Sequence, residues 1–479
     1  MFYKPWVIIQ HMKTATFEKV KAQVFVRQRI LSEIYEKAGS QTLGDYAAAW
    51  PTQSLSEDNL VLKGLQAGLG KVYGQALAKE VAGQLQGSGL VSTIDHHGLF
   101  GHPFFLSANL IFAQRPGLRY LPVLSTSGVS LNNSSWPGCV VLTQPETGRL
   151  ARFSLFNDGH KTKTVFKSGP ISRKQTDSVL VRLSSADFLS ATQKNRLTGL
   201  LEKVFFDPRL ASLPSFSEQA SLISSGLWQE LFPLAPQLVY LPLEELVGQI
   251  LADRVCAEQG HILHRLFFTQ RGFELLHRHF YGVRGGYGQG RGSFLFWGVD
   301  AQGKRVALQR AGNRLAGGGL SFELSPAEIS KKLGLREIYP TSLVCFLVLL
   351  QAGVTALGGF NQTTWLEEIR LRFVGLLEEM GEGSAPAAGV ATKNFAEGGL
   401  AFVRSQSGLV KAAALDLYAA GTGFDFFQQL AKKVTLAQSI ESELPEIYRI
   451  VVLEKDRQAE LSRLTLEEIS HLNGLDSLV

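Results

Sequence analysis

Apolar residues along this chain fall into two patterns: helical spacing and short unbroken runs. Helical spacing opens the chain. Val20, Val24, Val26, Ile30, Ile34 and Tyr35 line one face of a segment from Phe17 to Lys37, and a second helix is predicted over 58–84. Leu90 to Ile94 is the first unbroken run and reads as a strand. Asp95-His96-His97-Gly98 follows, then a Gly101-His102-Pro103 turn and an apolar helix ending near Phe112. Tyr120 to Leu124 and Cys139 to Thr143 are the next strands. Strand, helix and strand with a short return make a βαβ unit, so a parallel sheet is predicted. Leu150 to Phe156 and Lys163 to Phe166 extend that sheet or form a hairpin.

From Ser184 to Phe232 the pattern is mainly helical. Gln237 to Leu241 is a strand, followed by a helix from Glu244 to about Glu258, and helical character resumes over His261 to Phe280. Tyr281 to Gly292 is too rich in glycine for regular structure. Ser293 to Val299 and Arg305 to Arg310 flank Asp300-Ala301-Gln302-Gly303, a hairpin signal. Ser325-Pro326 starts a helix, with Ser as N-cap and Glu328 in its first turn. Ile338 to Leu366 lacks any charge, but Gln351, Gly353, Gly358, Gly359, Asn361 and Gln362 suit a buried helix and strand better than a membrane span. Thr363 to Met380 is amphipathic and helical. Gly381 to Gly389 reads as a linker, and mostly helices follow it, including Leu444 to Ile469.

A chain of 479 residues is long enough for two or three domains. The pattern divides it into a helical segment over 1–89, a first core part over 90–183, a helical insertion over 184–236, a second core part with a hairpin insertion over 237–380, and a helical region over 381–479. The fold class predicted is α/β, a Rossmann-like parallel sheet core with a largely helical remainder. That core draws on Leu90 to Phe166 and Gln237 to Met380. The net charge of +6 reads as spread along the chain, so it favours acidic small ligands no more than nucleic acid. Three distant cysteines exclude a disulfide framework and, with no signal-peptide pattern at the N-terminus, fit a cytoplasmic protein.

The densest chemistry lies in Asp95, His96, His97 and His102. A strand, a polar glycine-containing turn and a helix build a site at the carboxyl end of a strand, where the helix N-terminus receives an anion. The four residues are therefore candidate catalytic residues, with Gly98 and Asn109 beside them as ligand contacts. Imidazole and carboxylate are also the usual ligands of a divalent metal such as zinc, so a metal-dependent hydrolase at the same four residues stays open. The manganese phosphoesterases named for Asp-His-His need an earlier Asp-x-Asp, which is absent before Asp95. Ser125, Ser127, Asn132 and Asn133 follow a predicted strand end and add hydrogen-bonding groups. Gly358 and Gly359 permit close approach of a ligand, with Asn361 and Gln362 beside it. In the glycine-rich stretch, Arg278, Arg284 and Arg291 with Tyr281 and Tyr287 resemble an RNA-binding run, yet a loop closing over a phosphate-bearing ligand explains them as well.

Read together, these blocks resemble the cysteine-adding enzyme family of bacillithiol biosynthesis. Thr93 to Pro103 aligns without gaps with that family's glutamine-containing first block and shares its Thr, Gly, Leu, Phe and Pro. Leu121-Pro122-Val123-Leu124 resembles its Pro-Val strand. Ser325-Pro326, Pro340-Thr341, Gly358-Gly359 and Trp365 follow its later order. Ser125 to Asn133 stands where the family has an acidic, histidine-containing run. The resemblance covers about a third of the chain. It implies a Rossmann-like core with a ligand crevice between the first block and the Gly-Gly turn, and an enzyme that joins an amino acid or small acid to an amine-bearing molecule. A nucleotide cofactor is implied by the same fold. A non-catalytic interaction protein on this fold is the remaining alternative. Small molecules are the expected partners, rather than nucleic acid or membrane.

Overall fold

A computed structural model describes residues 5–288, 290 and 292–479, with side chains 5–12 left aside. Its strands are, in chain order, β1 (Leu90–Ser92), β2 (Tyr120–Ser125), β3 (Cys139–Thr143), β4 (Leu150–Ser154), β5 (Gln237–Pro242), β6 (Phe296–Val299), β7 (Arg305–Ala307), β8 (Gln309–Ala311), β9 (Arg314–Gly317), β10 (Leu320–Glu323), β11 (Ile338–Pro340), β12 (Thr355–Leu357), β13 (Phe402–Ser405) and β14 (Gly408–Lys411). Four of them form a parallel sheet in the order β12-β1-β2-β5. These strands are short apolar runs buried on both faces, as a parallel sheet covered by helices requires. This is the α/β, Rossmann-like core within a largely helical chain.

The order of the strands fixes where a ligand can enter. The chain lays down β1, β2 and β5 outward in one direction, then returns to place β12 on the opposite edge of β1. Leu90 pairs with Thr355 and Ser92 with Leu357 on that side, and Ser92 pairs with Val123 on the other. The connections therefore diverge between β1 and β12, which is the switch point where open α/β sheets bind ligands. The helices Pro103–Phe112 and Phe360–Glu379 both begin at this end of the sheet.

Several predicted elements take other forms. Cys139 to Thr143 pairs antiparallel with β4 in a separate hairpin. β1 and β5 already occupy the two edges of β2, so no edge remains for it there. Lys163 to Phe166 falls in a tight turn around Val165–Lys167. The helix predicted over Phe17 to Lys37 breaks at Gln28, whose buried side chain accepts a hydrogen bond from Thr364 Oγ1 at 2.7 Å. Gly74, at φ +90°, divides the second helix. Leu444 to Ile469 is two helices, Leu444–Val451 and Leu466–Asn473, joined by short turns whose Val452, Leu461 and Leu464 are buried. The hairpin of β6 and β7 and the helix Pro326–Gly334 form as predicted.

The uncharged stretch is buried as β11, the helix Ser342–Gln351 and β12. Among the described residues no helix is long and apolar enough to cross a membrane. The linker-like Gly381 to Gly389 holds a short helix, Ala385–Gly389, with Ala387 buried. One continuous apolar cluster takes side chains from all five segments of the chain, from Phe17 to Leu475. The C-terminal segment closes over the switch point. Gly358 and Phe395 form a bridge, the Leu400 and Ala401 amides donate to Ser107 Oγ, and the Ala414 amide donates to the Gly101 carbonyl.

Candidate functional site

Beyond the end of β1 the backbone stays extended. The Thr126 amide donates to the Asp95 carbonyl and the His97 amide to the Thr126 carbonyl, each at 2.8 Å. Side chains along such a segment alternate between faces, so Asp95 and His97 share a face that His96 does not. Asp95 and His97 turn into the core and are fully buried. Asp95 Oδ2 accepts from Asn109 Nδ2 at 2.9 Å and from the Tyr240 hydroxyl at 2.8 Å. Burial pushes the Asp95 carboxyl up to about 7 against the pull of those two donors. His97 stacks on Tyr240, with centroids 5.2 Å apart. Its Nδ1 lies 2.6 Å from Ser125 Oγ and its Nε2 2.7 Å from the Ser217 carbonyl. Burial pulls this imidazole down to about 4. A neutral ring with its proton on Nε2 donates to the carbonyl and accepts from the hydroxyl.

His96 and His102 belong to the opposite side. Both rings lie 5.5 Å from Phe105, and His96 Nδ1 meets Ser135 Oγ at 2.9 Å. His102 is the N-cap of Pro103–Phe112 yet makes no side-chain cap bond, and its buried Nδ1 has no partner. Burial, with Lys411 and His96 nearby, pulls it down to about 3. The four sequence candidates therefore split between two faces. Among the described residues no group of three or more His, Cys, Asp or Glu is placed to hold a metal ion. That removes the geometric basis for the zinc reading: both His97 nitrogens and one Asp95 oxygen are committed to protein partners.

The other candidates are also divided. Gln362 Nε2 donates to Thr93 Oγ1 at 2.7 Å, which ties the first block to the Gly-Gly turn across β1 and β12. Asn361 lies at the same edge, where its Oδ1 accepts from Arg284 Nη2 of the glycine-rich loop at 2.6 Å. Arg291 lies outside the described residues. Gly98 packs so closely on Pro137 that a Cβ would come within 2.3 Å of the Pro137 carbonyl. Ser127 donates through its amide and its hydroxyl to buried Glu244. Asn132 is exposed, and its side chain accepts from Ser130 at 2.7 Å. Asn133 is half-buried and accepts from Ser135.

Sequence reading missed the residues that complete the switch point. Glu397 is half-buried, and its Oε2 accepts from the Phe360 amide at 3.0 Å, so its carboxyl sits on the N-terminus of Phe360–Glu379. A Cβ on Gly359 would lie 2.1 Å from that oxygen, which is why a residue without one is needed there. Burial, then the neighbouring Glu443, pushes Glu397 up to about 8. Lys411 bonds Glu443, reaches Glu446 at 3.1 Å and lies 3.9 Å above the Phe104 ring. Burial pulls its ammonium down, and the two carboxylates more than offset that. Glu397 is followed by two glycines, the only sequence signal it carries.

A polar chain leads from the buried face to a second opening. Ser217, whose carbonyl receives His97, donates its hydroxyl to Glu245 at 2.5 Å, and Glu245 pairs with Arg336 at 2.9 Å. Arg336 holds a left-handed backbone at φ +54°, which costs energy for a residue with a side chain. This pair borders a cavity of about 420 Å³ at the carboxyl end of β5. Glu218, Glu244, Glu245 and Asp253 line it against Lys71 and Arg336, with Gly64, Gly68 and Leu241 on its walls. No family model and no curated protein matches the chain.

Proposed function

We propose that the chain is an enzyme that joins an amino acid or similar small acid to the amine of a second small molecule at the β1/β12 switch point. The observation that carries this reading is Glu397 seated on the N-terminus of Phe360–Glu379, at the end of the sheet where the helix Pro103–Phe112 also begins. Helix N-termini favour a carboxylate or phosphate, and the one at Phe360 already accommodates a carboxyl group. Glu397 takes the proton of the attacking amine, and its affinity for a proton suits that task near neutral pH. The amine nitrogen bonds to the carboxyl carbon of an activated acid, and the activating group leaves. Lys411 supplies positive charge near Glu397. The resemblance to the cysteine-adding family supports the same reading, since its first block and its Gly-Gly turn lie on adjacent strands here.

The test is a coupling assay. Purified protein is incubated with pooled amino acids, amino sugars and polyamines, with and without ATP, and products are read by mass spectrometry. A condensation product is expected, and Glu397→Gln should lower its rate by about 100-fold or more while leaving the melting temperature in place. Absence of any product, or full activity in Glu397→Gln, refutes the reading.

A further inference from the structure

We infer a second binding site, for a small phosphorylated molecule of nucleoside di- or triphosphate size, in the cavity between β4 and the helix Arg173–Ser184. The site shares no residue with the switch point and stands whether or not the coupling reading holds.

The argument begins with where the charge lies. Residues 149–182 carry eight lysines and arginines against Asp158 and Asp177, a net +6 that equals the net charge of the whole chain. The remainder of the molecule is balanced, so the excess is local rather than spread. The fold wraps this segment around a cavity of about 830 Å³. Lys163, Lys174, Arg182 and His160 line it, and no Asp or Glu does. That volume suits a nucleotide-sized ligand.

The cations are not neutralised by ion pairs. Among the described residues Lys163 and Lys174 form no ion pair. The stem of Lys163 rests against Gly303, where a Cβ would come within 3.3 Å of it. Arg182 spends its hydrogen bonds on backbone carbonyls, those of Ser154 and Ser178, which orient the guanidinium and leave its charge uncompensated. Arg173, by contrast, is paired with Asp177 at 2.9 Å and is not part of the lining. Three positive charges around one cavity repel each other, and no acidic residue of the lining offsets them. A ligand bearing several negative charges repays that cost. Half-buried Phe156 and exposed Pro170 give the lining an apolar part for the uncharged end of such a ligand. A cavity of this shape favours a small molecule over a nucleic acid strand, which needs a charged track extending past its ends.

The test titrates the full chain with a fluorescent ATP analogue at low salt, with ATP, ADP, inorganic phosphate and a 20-nucleotide RNA as competitors. Saturable binding is expected, displaced by ATP and ADP at lower concentration than by phosphate or RNA. Lys163→Ala and Lys174→Ala, at side chains without ion pairs, should each weaken it about tenfold. Gly169→Trp should abolish it by filling the cavity, since a Cβ there meets nothing within 4 Å. Lys432→Ala and Lys433→Ala remove exposed lysines elsewhere and should change nothing. Absence of saturable binding, equal loss in the control variants, or parent-like binding by both Lys163→Ala and Lys174→Ala overturns the inference. Stronger competition by RNA than by ATP overturns it in favour of a nucleic-acid surface, and equal competition by inorganic phosphate removes the nucleotide from it.

Discussion

Replacing His97 with Ala should destabilise the protein strongly, and by an amount that depends on pH. The imidazole is fully buried, stacked on Tyr240 and bonded at both nitrogens. Truncating a buried ring of this size to Ala costs about 3–5 kcal/mol. Part of that is the stranded Ser217 carbonyl, a buried acceptor whose loss of its donor costs about 1–3 kcal/mol by itself. Unfolding entropy is roughly 2 cal/mol/K per residue, so over 479 residues the melting point should fall by about 4 °C. The pH dependence follows from the proton. Folding holds His97 near 4, below its ordinary 6.5. The unfolded chain therefore gains a proton below pH 6.5 that the folded chain refuses until about pH 4. The stability this represents is complete above 6.5 and lost as pH falls toward 4. At about 1.4 kcal/mol per pH unit it amounts to roughly 3 kcal/mol. The gap between parent and His97→Ala should thus be widest at pH 7 and nearly closed at pH 4. His102→Ala removes a buried ring packed on Phe104 and Phe105 that makes no cap bond and leaves Nδ1 unpaired, so it should cost less than His97→Ala, about 2–3 kcal/mol. Chemical denaturation of the three proteins at pH 4, 5.5 and 7 measures this. A His97→Ala variant as stable as the parent at pH 7, or a gap that ignores pH, refutes the reasoning.

Other expectations rest on other contacts. Asp95 keeps its proton up to about pH 7 in the folded chain against an ordinary 3.8, so its contribution is complete below pH 4 and lost as pH rises through 7. Asp95→Asn should remove that slope and match or exceed the parent at pH 8, as calorimetry at pH 5 and 8 would show; identical pH responses count against it. Gly98→Ala pushes a methyl against the Pro137 backbone and should cost about 2 kcal/mol or more, read as a lower denaturation midpoint. Asn361→Ala releases Arg284 and should speed tryptic cleavage there at least about twofold; an unchanged rate would mean that the loop is held by something else.

The switch point was legible in outline because its two blocks are local. A strand-like run, a polar turn and an apolar helix sit in sequence at Leu90 to Phe112, and a glycine pair precedes a helix at Gly358. What was not legible is which way each side chain points. Asp-His-His reads as an exposed turn, yet pairing of Asp95 and His97 with Thr126 extends the strand and sends two of the three side chains inward. Thr126 lies one strand away, so no local pattern announces that pairing. Glu397 was invisible for a related reason: its partner is a backbone amide 37 residues earlier. Cys139 to Thr143 had the right composition for the sheet, but Gln237 to Pro242 occupies the edge of β2 and Cys139 to Thr143 pairs with β4 instead. The concentration of positive charge over 149–182 was present in the sequence and escapes a reading that totals charge over the whole chain.

The inward turn of Asp95 explains a feature that would otherwise be a cost. Asn109 Nδ2 donates to Asp95 Oδ2, and the remaining side-chain oxygen of each residue has no partner. Two buried acceptors left unpaired would cost about 1–3 kcal/mol each. A carboxyl group that keeps its proton has one O–H to give, and an amide lying beside it has one carbonyl oxygen to receive it. Burial raises the proton affinity of Asp95 enough to supply that donor near neutral pH. The proton then satisfies both groups, and the bonds of Tyr240 to Asp95 and of His97 to Ser125 and Ser217 tie β1, β2 and β5 together. Glu397, whose carboxyl accepts from the Phe360 amide, is therefore the ionisable group that contacts the helix start at the switch point.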